Sequence, residues 1–190
     1  MKNKRPVLII TSIIMVVAFC ILTSCDESNL TNPKPSESYG IPASEIQFIQ
    51  WKADISENLR TLSKVTTSEK VFTQSGGILA TDDMLGCKLI VPNNAFDDDE
   101  RLIQANLISE DNNVAGLSFL PSQQFTKFVT IELPFDVINV DEYTNVNELR
   151  AFWLDENTNL WMEIHNVEID YENQIVRTQV DHFTRFGWGF

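Results

Sequence analysis

Hydrophobic and polar residues alternate with a period of two along most of the chain after residue 70. The alternation places apolar side chains on one face of a strand, and turn residues such as Pro92-Asn93-Asn94 separate the runs. Strand candidates cover residues 71–72, 78–79, 85–91, 102–108, 114–120, 129–135, 149–154, 161–164, 167–169 and 175–180. Because no long helical pattern separates them, we expect a mainly all-β fold, an antiparallel β-sandwich with one short N-terminal helix.

That helix is expected within residues 45–64. Apolar residues recur there at helical spacing: Phe48, Ile55, Leu59 and Leu62. Ser44, with Gln47 three residues later, resembles the capping box that begins many helices. The alternation of Ile46 and Phe48 also permits the start of a strand.

The first 24 residues have the composition of an export signal. Three basic residues stand near the start: Lys2, Lys4 and Arg5. The apolar run that follows, Val7 to Leu22, is shorter than the roughly 20 residues of a membrane-spanning helix. The stretch Leu22-Thr23-Ser24-Cys25 resembles the lipobox of bacterial lipoproteins, in which signal peptidase cuts before a lipid-modified cysteine. The resemblance implies that residues 1–24 are a lipoprotein signal peptide and that Cys25 is the lipid-attachment site.

Three segments follow from this reading: the signal peptide 1–24, a flexible tether 25–44, and a β-sandwich domain 45–190 with an N-terminal helical segment. The tether is assigned because it is rich in proline and small polar residues. The implied location is the cell envelope, with the lipid anchored in a bacterial membrane. The outer membrane is preferred, and the domain would face the periplasm or the cell surface.

The net charge and the cysteine content limit which partners and which disulfides we expect. The leader carries three of the 14 basic residues and none of the 27 acidic ones, so residues 25–190 have a net charge of −16. Such a surface repels a phosphate backbone, and we therefore expect no nucleic-acid partner. Cys20 would leave with the leader and Cys25 would carry lipid, so only Cys87 remains and no internal disulfide is expected. Cys87 lies within an apolar strand pattern, and such a position is typical of a buried, inert thiol.

Residues 76–190 resemble the domain shared by zonula occludens proteins, ankyrins and uncoordinated-type netrin receptors. The resemblance rests on these stretches, in this order: Gly76-Gly77-Ile78-Leu79, Leu89-Ile90-Val91-Pro92-Asn93-Asn94-Ala95, Phe128-Val129-Thr130-Ile131-Glu132-Leu133-Pro134, Leu160-Trp161 and His182-Phe183-Thr184. It implies a β-sandwich used for protein contacts. The chain departs from the family pattern at Asn93-Asn94, where the family favours Pro-Gly.

Motifs for enzymatic chemistry are missing from the sequence. There are two histidines, no His-x-x-x-His or Cys-x-x-Cys spacing, no phosphate-binding glycine loop and no Gly-x-Ser-x-Gly elbow. We therefore expect neither an enzyme nor a cofactor or metal. The acidic run Asp97, Asp98 and Asp99 could supply oxygen ligands to calcium, although a solvated turn is the simpler interpretation.

The triplet His182-Phe183-Thr184 has a chemical alternative, self-cleavage. In some relatives of the family that the chain resembles, a His-Phe-Ser site cuts its own backbone. By that resemblance, the Thr184 hydroxyl would attack the Phe183 carbonyl with His182 as base. On one extended strand, His182 and Thr184 would project from the same face. We favour a structural histidine near the core and expect no cut.

The function expected from the sequence is that of a membrane-anchored envelope lipoprotein whose sandwich binds a protein or has a structural role. A carbohydrate-binding module is the first alternative, because four tryptophans, Trp51, Trp153, Trp161 and Trp188, could line a sugar-binding face. Self-cleavage at Phe183-Thr184 is the second alternative. The partners are thus a membrane, through the lipid anchor, and an unidentified protein or glycan.

Overall fold

The computed structural model describes residues 39–61, 67–108, 114–140 and 145–190. The signal peptide, Cys25 and the predicted tether as far as residue 38 lie outside the described residues. In the described part of the chain, no helix has both the length and the apolar character needed to span a bilayer.

The described residues form one helix and eleven strands. The helix, α1, spans Ala53–Thr61. The strands are β1 Thr67–Thr73, β2 Gly77–Leu79, β3 Lys88–Val91, β4 Glu100–Ile108, β5 Gly116–Leu120, β6 Gln124–Pro134, β7 Arg150–Asp155, β8 Leu160–Ile164, β9 Val167–Asp170, β10 Ile175–His182 and β11 Arg185–Gly189. Short 3-10 turns cover Ala43–Glu45, Asp82–Met84, Phe135–Val137 and Val146–Glu148.

The strands form two antiparallel sheets, which confirms the predicted sandwich. The six-stranded sheet has the order β1-β4-β5-β11-β7-β8, and the five-stranded sheet has the order β2-β3-β6-β10-β9. Alternate residues point inward from both sheets, as the period-two pattern predicts. Fully buried members of the core include Phe72, Leu89, Ile103, Leu117, Phe119, Ile131, Val176, Phe183, Phe186 and Trp188. One buried hydrogen bond joins the sheets: Trp188 Nε1 donates to Thr178 Oγ1 at 3.0 Å.

The predicted N-terminal helix is present within the expected residues 45–64, but it begins later than the capping box suggests. The helix begins at Ala53, whereas Ser44 lies inside a 3-10 turn whose N-cap, Pro42, makes no side-chain capping bond. The capping-box prediction is therefore wrong. Between the turn and the helix, Phe48 pairs with Gly189 of β11, and Gln50 pairs with Val114, just before β5. The strand-like alternative holds for the residues before the helix, because the apolar residues there are buried against a sheet.

In this N-terminal segment, residues 41–51, residues 48–50 are inserted between two strands of the six-stranded sheet. β5 and β11 pair only as far as Gly116 and Gly187, and beyond that point they diverge. Ile49 fills the gap: its N–H donates to the carbonyl of Trp188, and its own carbonyl accepts from the N–H of Ala115, both at 2.9 Å. The segment thus satisfies backbone groups that the divergence of the two strands would leave unpaired.

The same segment covers the outer face of the sheet. Phe48 packs edge-on against Trp161 at a centroid distance of 4.8 Å and against Phe152 at 6.1 Å. A Cβ atom on Gly189 would lie 2.8 Å from the carbonyl oxygen of Gln47, so only glycine allows this approach. Within the described part of the predicted tether, Ile41 exchanges two backbone hydrogen bonds with Trp161.

The predicted strand 85–91 begins later than its alternation suggests. Leu85 and Gly86 adopt φ values of 52° and 82°, and β3 begins at Lys88. The left-handed backbone ends a 3-10 turn here. The apolar alternation in the sequence therefore includes residues of a turn as well as the strand, because Cys87, at the end of that turn, is buried in the core.

A ladder of alternating charges crosses the outer face of the five-stranded sheet. Lys88, Glu132, Arg177 and Glu168 stand directly opposite one another on β3, β6, β10 and β9. The nitrogen-to-oxygen distances are 3.3, 3.0 and 3.2 Å in that order. Arg177 also contacts Asp170 at 2.7 Å. Opposite charges at cross-strand positions favour this register over a slipped one.

We expect Phe48→Ala to lower the free energy of unfolding by about 2–3 kcal/mol, since it removes a half-buried ring from the outer-face cluster. Gln47→Ala is the matched control, because the Gln47 side chain, next to Phe48, is exposed and the substitution keeps the backbone pairing of this residue. Urea unfolding of both variants measures the difference. Equal stabilities would contradict the role assigned to the N-terminal segment.

Asp170 supplies a prediction for pH. Hydrogen bonds from the side chain and backbone of Asn173, with a smaller contribution from Arg177, lower the pKa of Asp170 to about 2. A carboxyl with a depressed folded-state pKa stabilises the fold above its unfolded value of about 4, and that contribution is lost as the pH falls toward 2. In urea unfolding, the stability gap between wild type and Asp170→Asn should therefore shrink over that interval. Asp83→Asn, at an exposed turn position, makes the same charge change and is the control. A difference in unfolding free energy between wild type and Asp170→Asn that stays constant with pH would refute the account.

Candidate functional site

The candidate site lies where the chain crosses from one sheet to the other. β10 of the five-stranded sheet ends at His182, and β11 of the six-stranded sheet begins at Arg185. His182 and Thr184 therefore do not share one extended strand, and that part of the sequence-based reasoning was wrong. Two adjacent residues must bridge the sandwich, and both Phe183 and Thr184 are buried.

Phe183 fixes the position of the crossing. Its ring stacks on Phe119 at 4.9 Å and meets Phe125 edge-on at 4.4 Å. Its N–H donates to the carbonyl of Gln123 at 2.7 Å, and its carbonyl accepts from Ser122 Oγ at 2.9 Å. The apolar ring and the paired backbone together hold the crossing against the segment that precedes β6.

The structure does not join His182 to Thr184. Thr184 Oγ1 donates to the carbonyl of Leu154 at 2.9 Å in a buried bond. His182 Nδ1 lies 2.7 Å from Asp181 Oδ1, and the imidazole packs edge-on against Trp153 at 4.5 Å. The hydroxyl that would attack the Phe183 carbonyl is thus hydrogen-bonded to a different partner from the predicted base.

A cleft of 580 Å³ opens beside this crossing; we name it the crossover cleft. Its lining consists of Ser122, Gln123, Gln124, Trp153, Asp181, His182 and Phe183. A smaller cavity of 120 Å³ shares three of these residues, Trp153, Asp181 and His182. The lining residues come from β7, the end of β10, the crossing itself and the start of β6 with the segment before it, so only the folded chain brings them together.

Three polar atoms at the crossover cleft are buried without a hydrogen-bond partner among the described residues. They are Oε1 and Nε2 of Gln123 and Nε2 of His182. A carboxylate only accepts, so His182 Nδ1 donates to Asp181 and leaves Nε2 as an acceptor in the neutral ring. Each unsatisfied buried group costs a fold about 1–3 kcal/mol, so these three atoms are a local cost of the crossing; with less than 1 Å² of accessible surface each, they are out of reach of a molecule in the cleft.

Two of the three predicted calcium ligands, Asp98 and Asp99, contact other side chains. Asp98 forms an ion pair with Arg101, and Asp99 Oδ1 lies 3.5 Å from Gln74 Nε2. Across residues 39–61, 67–108, 114–140 and 145–190, no group of three histidine, cysteine or acidic side chains is placed to hold a metal. The structure therefore gives the acidic run no ligand geometry.

The remaining cysteine of the domain is buried, as the sequence predicts. Cys87 has no exposed surface, and burial, with a smaller effect of Asp136, raises its thiol pKa to about 12. The thiolate needed for nucleophilic or redox chemistry is thus suppressed. Cys25 lies outside the described residues, and its lipidation stays a prediction.

The four tryptophans do not form an exposed row. Trp51, Trp161 and Trp188 are at most 9% exposed, each within the core or under the N-terminal segment. Trp153 alone among the four is partly exposed, and it borders the crossover cleft. A flat sugar-binding platform of the four rings is therefore excluded, whereas one ring remains available beside polar groups.

Sequence reasoning singled out His182 and Trp153 but missed Gln123 and Ser122. Neither polar residue belongs to a motif, and their proximity depends on the pairing of His182 with Gln124 across β10 and β6. Compared with protein-family models and with curated proteins, the chain matches none. The resemblance to the zonula occludens, ankyrin and netrin-receptor domain therefore stays a prediction.

We expect the chain to remain uncut between Phe183 and Thr184. The Thr184 hydroxyl donates to the carbonyl of Leu154, and the Phe183 carbonyl accepts a hydrogen bond from Ser122. Intact-mass spectrometry of the purified protein under denaturing conditions should find the peptide Thr184–Phe190 still attached. Its loss in wild type, but not in Thr184→Ala, would show self-cleavage.

Proposed function

We propose that this protein is a lipid-anchored lipoprotein of the bacterial cell envelope and that its β-sandwich is a binding module, not an enzyme. The observation that carries the binding role is the crossover cleft, whose lining combines the partly exposed ring of Trp153 with polar side chains and the exposed carboxylate of Asp181. An aromatic ring beside a few polar groups is a common feature of ligand-binding sites.

The anchor supports this role by placing the domain near a membrane. A basic, apolar leader followed by Leu22-Thr23-Ser24-Cys25 is the pattern that directs lipid attachment in bacterial lipoproteins. Two or more acyl chains on one cysteine make the attachment lasting, whereas one chain binds only marginally. From Cys25 to the first paired residue, Ile41, the chain reaches at most about 55 Å when fully extended. The domain would therefore work close to the envelope surface that holds it.

Binding is favoured over catalysis by the state of the candidate groups. The Thr184 hydroxyl donates to a main-chain carbonyl, and the Cys87 thiol is buried with a raised pKa. His182 is oriented by Asp181, but no hydroxyl or thiol of the described residues hydrogen-bonds its Nε2. Nucleophilic catalysis needs such a contact between base and nucleophile.

Contact with another protein is a second candidate function, supported by a separate surface. Val71 and Leu102 form a cross-strand pair on β1 and β4, and Leu120 lies diagonally beside them on β5. All three side chains are between 45% and 53% exposed on the outer face of the six-stranded sheet. A cluster of exposed apolar side chains of this kind is a common feature of protein-binding surfaces.

The anchor is tested by expressing the full chain in a Gram-negative host. Wild type should lose residues 1–24 and carry acyl chains on Cys25, seen as a mass increase on the N-terminal peptide. Cys25→Ala should be neither acylated nor cut at that site. Cys20→Ala, within the leader, is the matched control and should be processed like wild type. A Cys25→Ala protein that is processed and acylated normally would refute the anchoring proposal.

A further inference from the structure

We propose that a groove along β10, which includes the crossover cleft, binds an extended and positively charged polypeptide segment. This inference rests on the proposed binding function and names the ligand class of the same site. It is drawn from the shape of the groove, from a stretch of strand edge beside it, and from its charge.

Three adjoining cavities form this groove, which we name the β10 groove. The crossover cleft of 580 Å³ shares three lining residues with the cavity of 120 Å³. That cavity shares Asn166 and Gln179 with a third cavity of 340 Å³, which extends to Arg177. Between Arg177 and Phe183 an extended chain advances by about 20 Å. A ligand that fills the β10 groove is therefore long and narrow, and an extended peptide of about six residues has that length.

The β10 groove runs beside a stretch of β10 that has no neighbouring strand on one side. β9 pairs with β10 from Ile175 to Thr178, and the N–H of Gln179 donates to the carbonyl of Asn166 at 2.9 Å. The chain before Asn166 belongs to β8 of the other sheet. Within the described part of the chain, no strand therefore pairs with residues 180–182 on the β9 side. An open strand edge is where an extended peptide adds to a sheet.

The charge of the β10 groove favours a cationic ligand. Three carboxylates line it, those of Glu163, Glu168 and Asp181, whereas no lysine does. Arg177 is the one arginine in the lining, and three carboxylates already bind its guanidinium at distances between 2.7 and 3.2 Å. The side chain of Asp181 is 52% exposed and forms its ion pair with His182, not with a lysine or arginine of the described residues.

The charge of the whole protein acts in the same direction. The chain has a net charge of −13, which attracts cations to the surface and repels anions. In the described residues, no three acidic, histidine or cysteine side chains are placed to hold a metal ion. The cationic groups that these carboxylates attract are therefore best supplied by lysine and arginine side chains.

Two aromatic rings complement such side chains. Trp153 is partly exposed and Phe128 is 52% exposed, and both line the cavity in the middle of the β10 groove. A lysine or arginine side chain can lay its aliphatic stem on an aromatic ring while its charged end reaches a nearby carboxylate. A neutral glycan would contact the same rings but would gain nothing from the three carboxylates.

The experiment uses the indole of Trp153 as a reporter. The other three tryptophans are at most 9% exposed, so acrylamide quenching of intrinsic fluorescence reports mainly on Trp153. The full-length protein, in a neutral polyoxyethylene detergent, is titrated with three hexapeptides with capped ends: (Thr-Lys)3, (Thr-Gln)3 and (Thr-Glu)3. The basic peptide should protect Trp153 and bind about tenfold more tightly than the neutral one, and the acidic peptide should not bind. Protection by the basic peptide should weaken as the salt concentration rises.

Asp181→Asn removes one charge of the β10 groove and keeps the local hydrogen bond. The amide oxygen of asparagine still accepts from Nδ1 of His182, so thermal unfolding should match wild type. The affinity for (Thr-Lys)3 should fall by a factor of about three to five. Asp83→Asn makes the same charge change at an exposed turn outside the β10 groove and should bind like wild type. Phe128→Ala, at a half-exposed position, should weaken binding by a similar factor.

The cationic assignment is overturned if (Thr-Lys)3 does not protect Trp153, or if it binds Asp181→Asn and Asp83→Asn equally well. Protection by the neutral or the acidic peptide alone would overturn it and leave the binding function intact. Spermine, a polyamine without main-chain amides, tests the polypeptide part: an affinity equal to that of (Thr-Lys)3 would show a site for small cations instead. Displacement of (Thr-Lys)3 by cellohexaose would show a glycan site. Failure of the binding function itself would appear as no protection by any of these probes.

Discussion

The sandwich depends on a short piece of chain that lies far in sequence from the two strands it joins. β5 and β11 diverge after the Gly116–Gly187 pair, and Ile49 enters between them to accept from Ala115 and donate to Trp188. Backbone groups buried without partners are costly, so this insertion stabilises the end of β11 and the chain at the start of β5. The glycine at position 189 serves the same contact, since any side chain there would strike the inserted backbone.

That constraint extends to the candidate site. β11 is held on one side by Ile49 and on the other by β7, so the crossing that precedes it has a fixed end point. Phe183 fills the core at the crossing, and the residues on either side adapt to it. Gln123 and His182 are left with buried polar atoms at the crossover cleft, a local cost that the rest of the core supports. The position of β11 therefore determines where the crossing and the crossover cleft lie.

The sequence predicted the two-layer β fold because alternation is a local property, and it placed most strands correctly from Leu102 to Val180. It failed where tertiary contacts decide. Phe48 satisfies a helical spacing and a strand spacing equally, and only the gap beside Trp188 selects the second. Leu85 continued an alternation that a left-handed turn interrupts. The crossover cleft could not be predicted from the sequence. Strand pairing brings Gln123 close to His182, and no pattern in a single sequence indicates that pairing.

The most direct test of this account is amide hydrogen exchange in the full chain. The N–H of Ala115 has the carbonyl of Ile49 as its partner, so its protection measures how firmly the N-terminal segment is inserted. If the insertion is integral to the sandwich, Ala115 should exchange as slowly as the amides at the centre of β6, through global unfolding alone. Exchange that is orders of magnitude faster than that of β6, as expected of a frayed terminus, would show that the sandwich stands without the segment and would contradict the account.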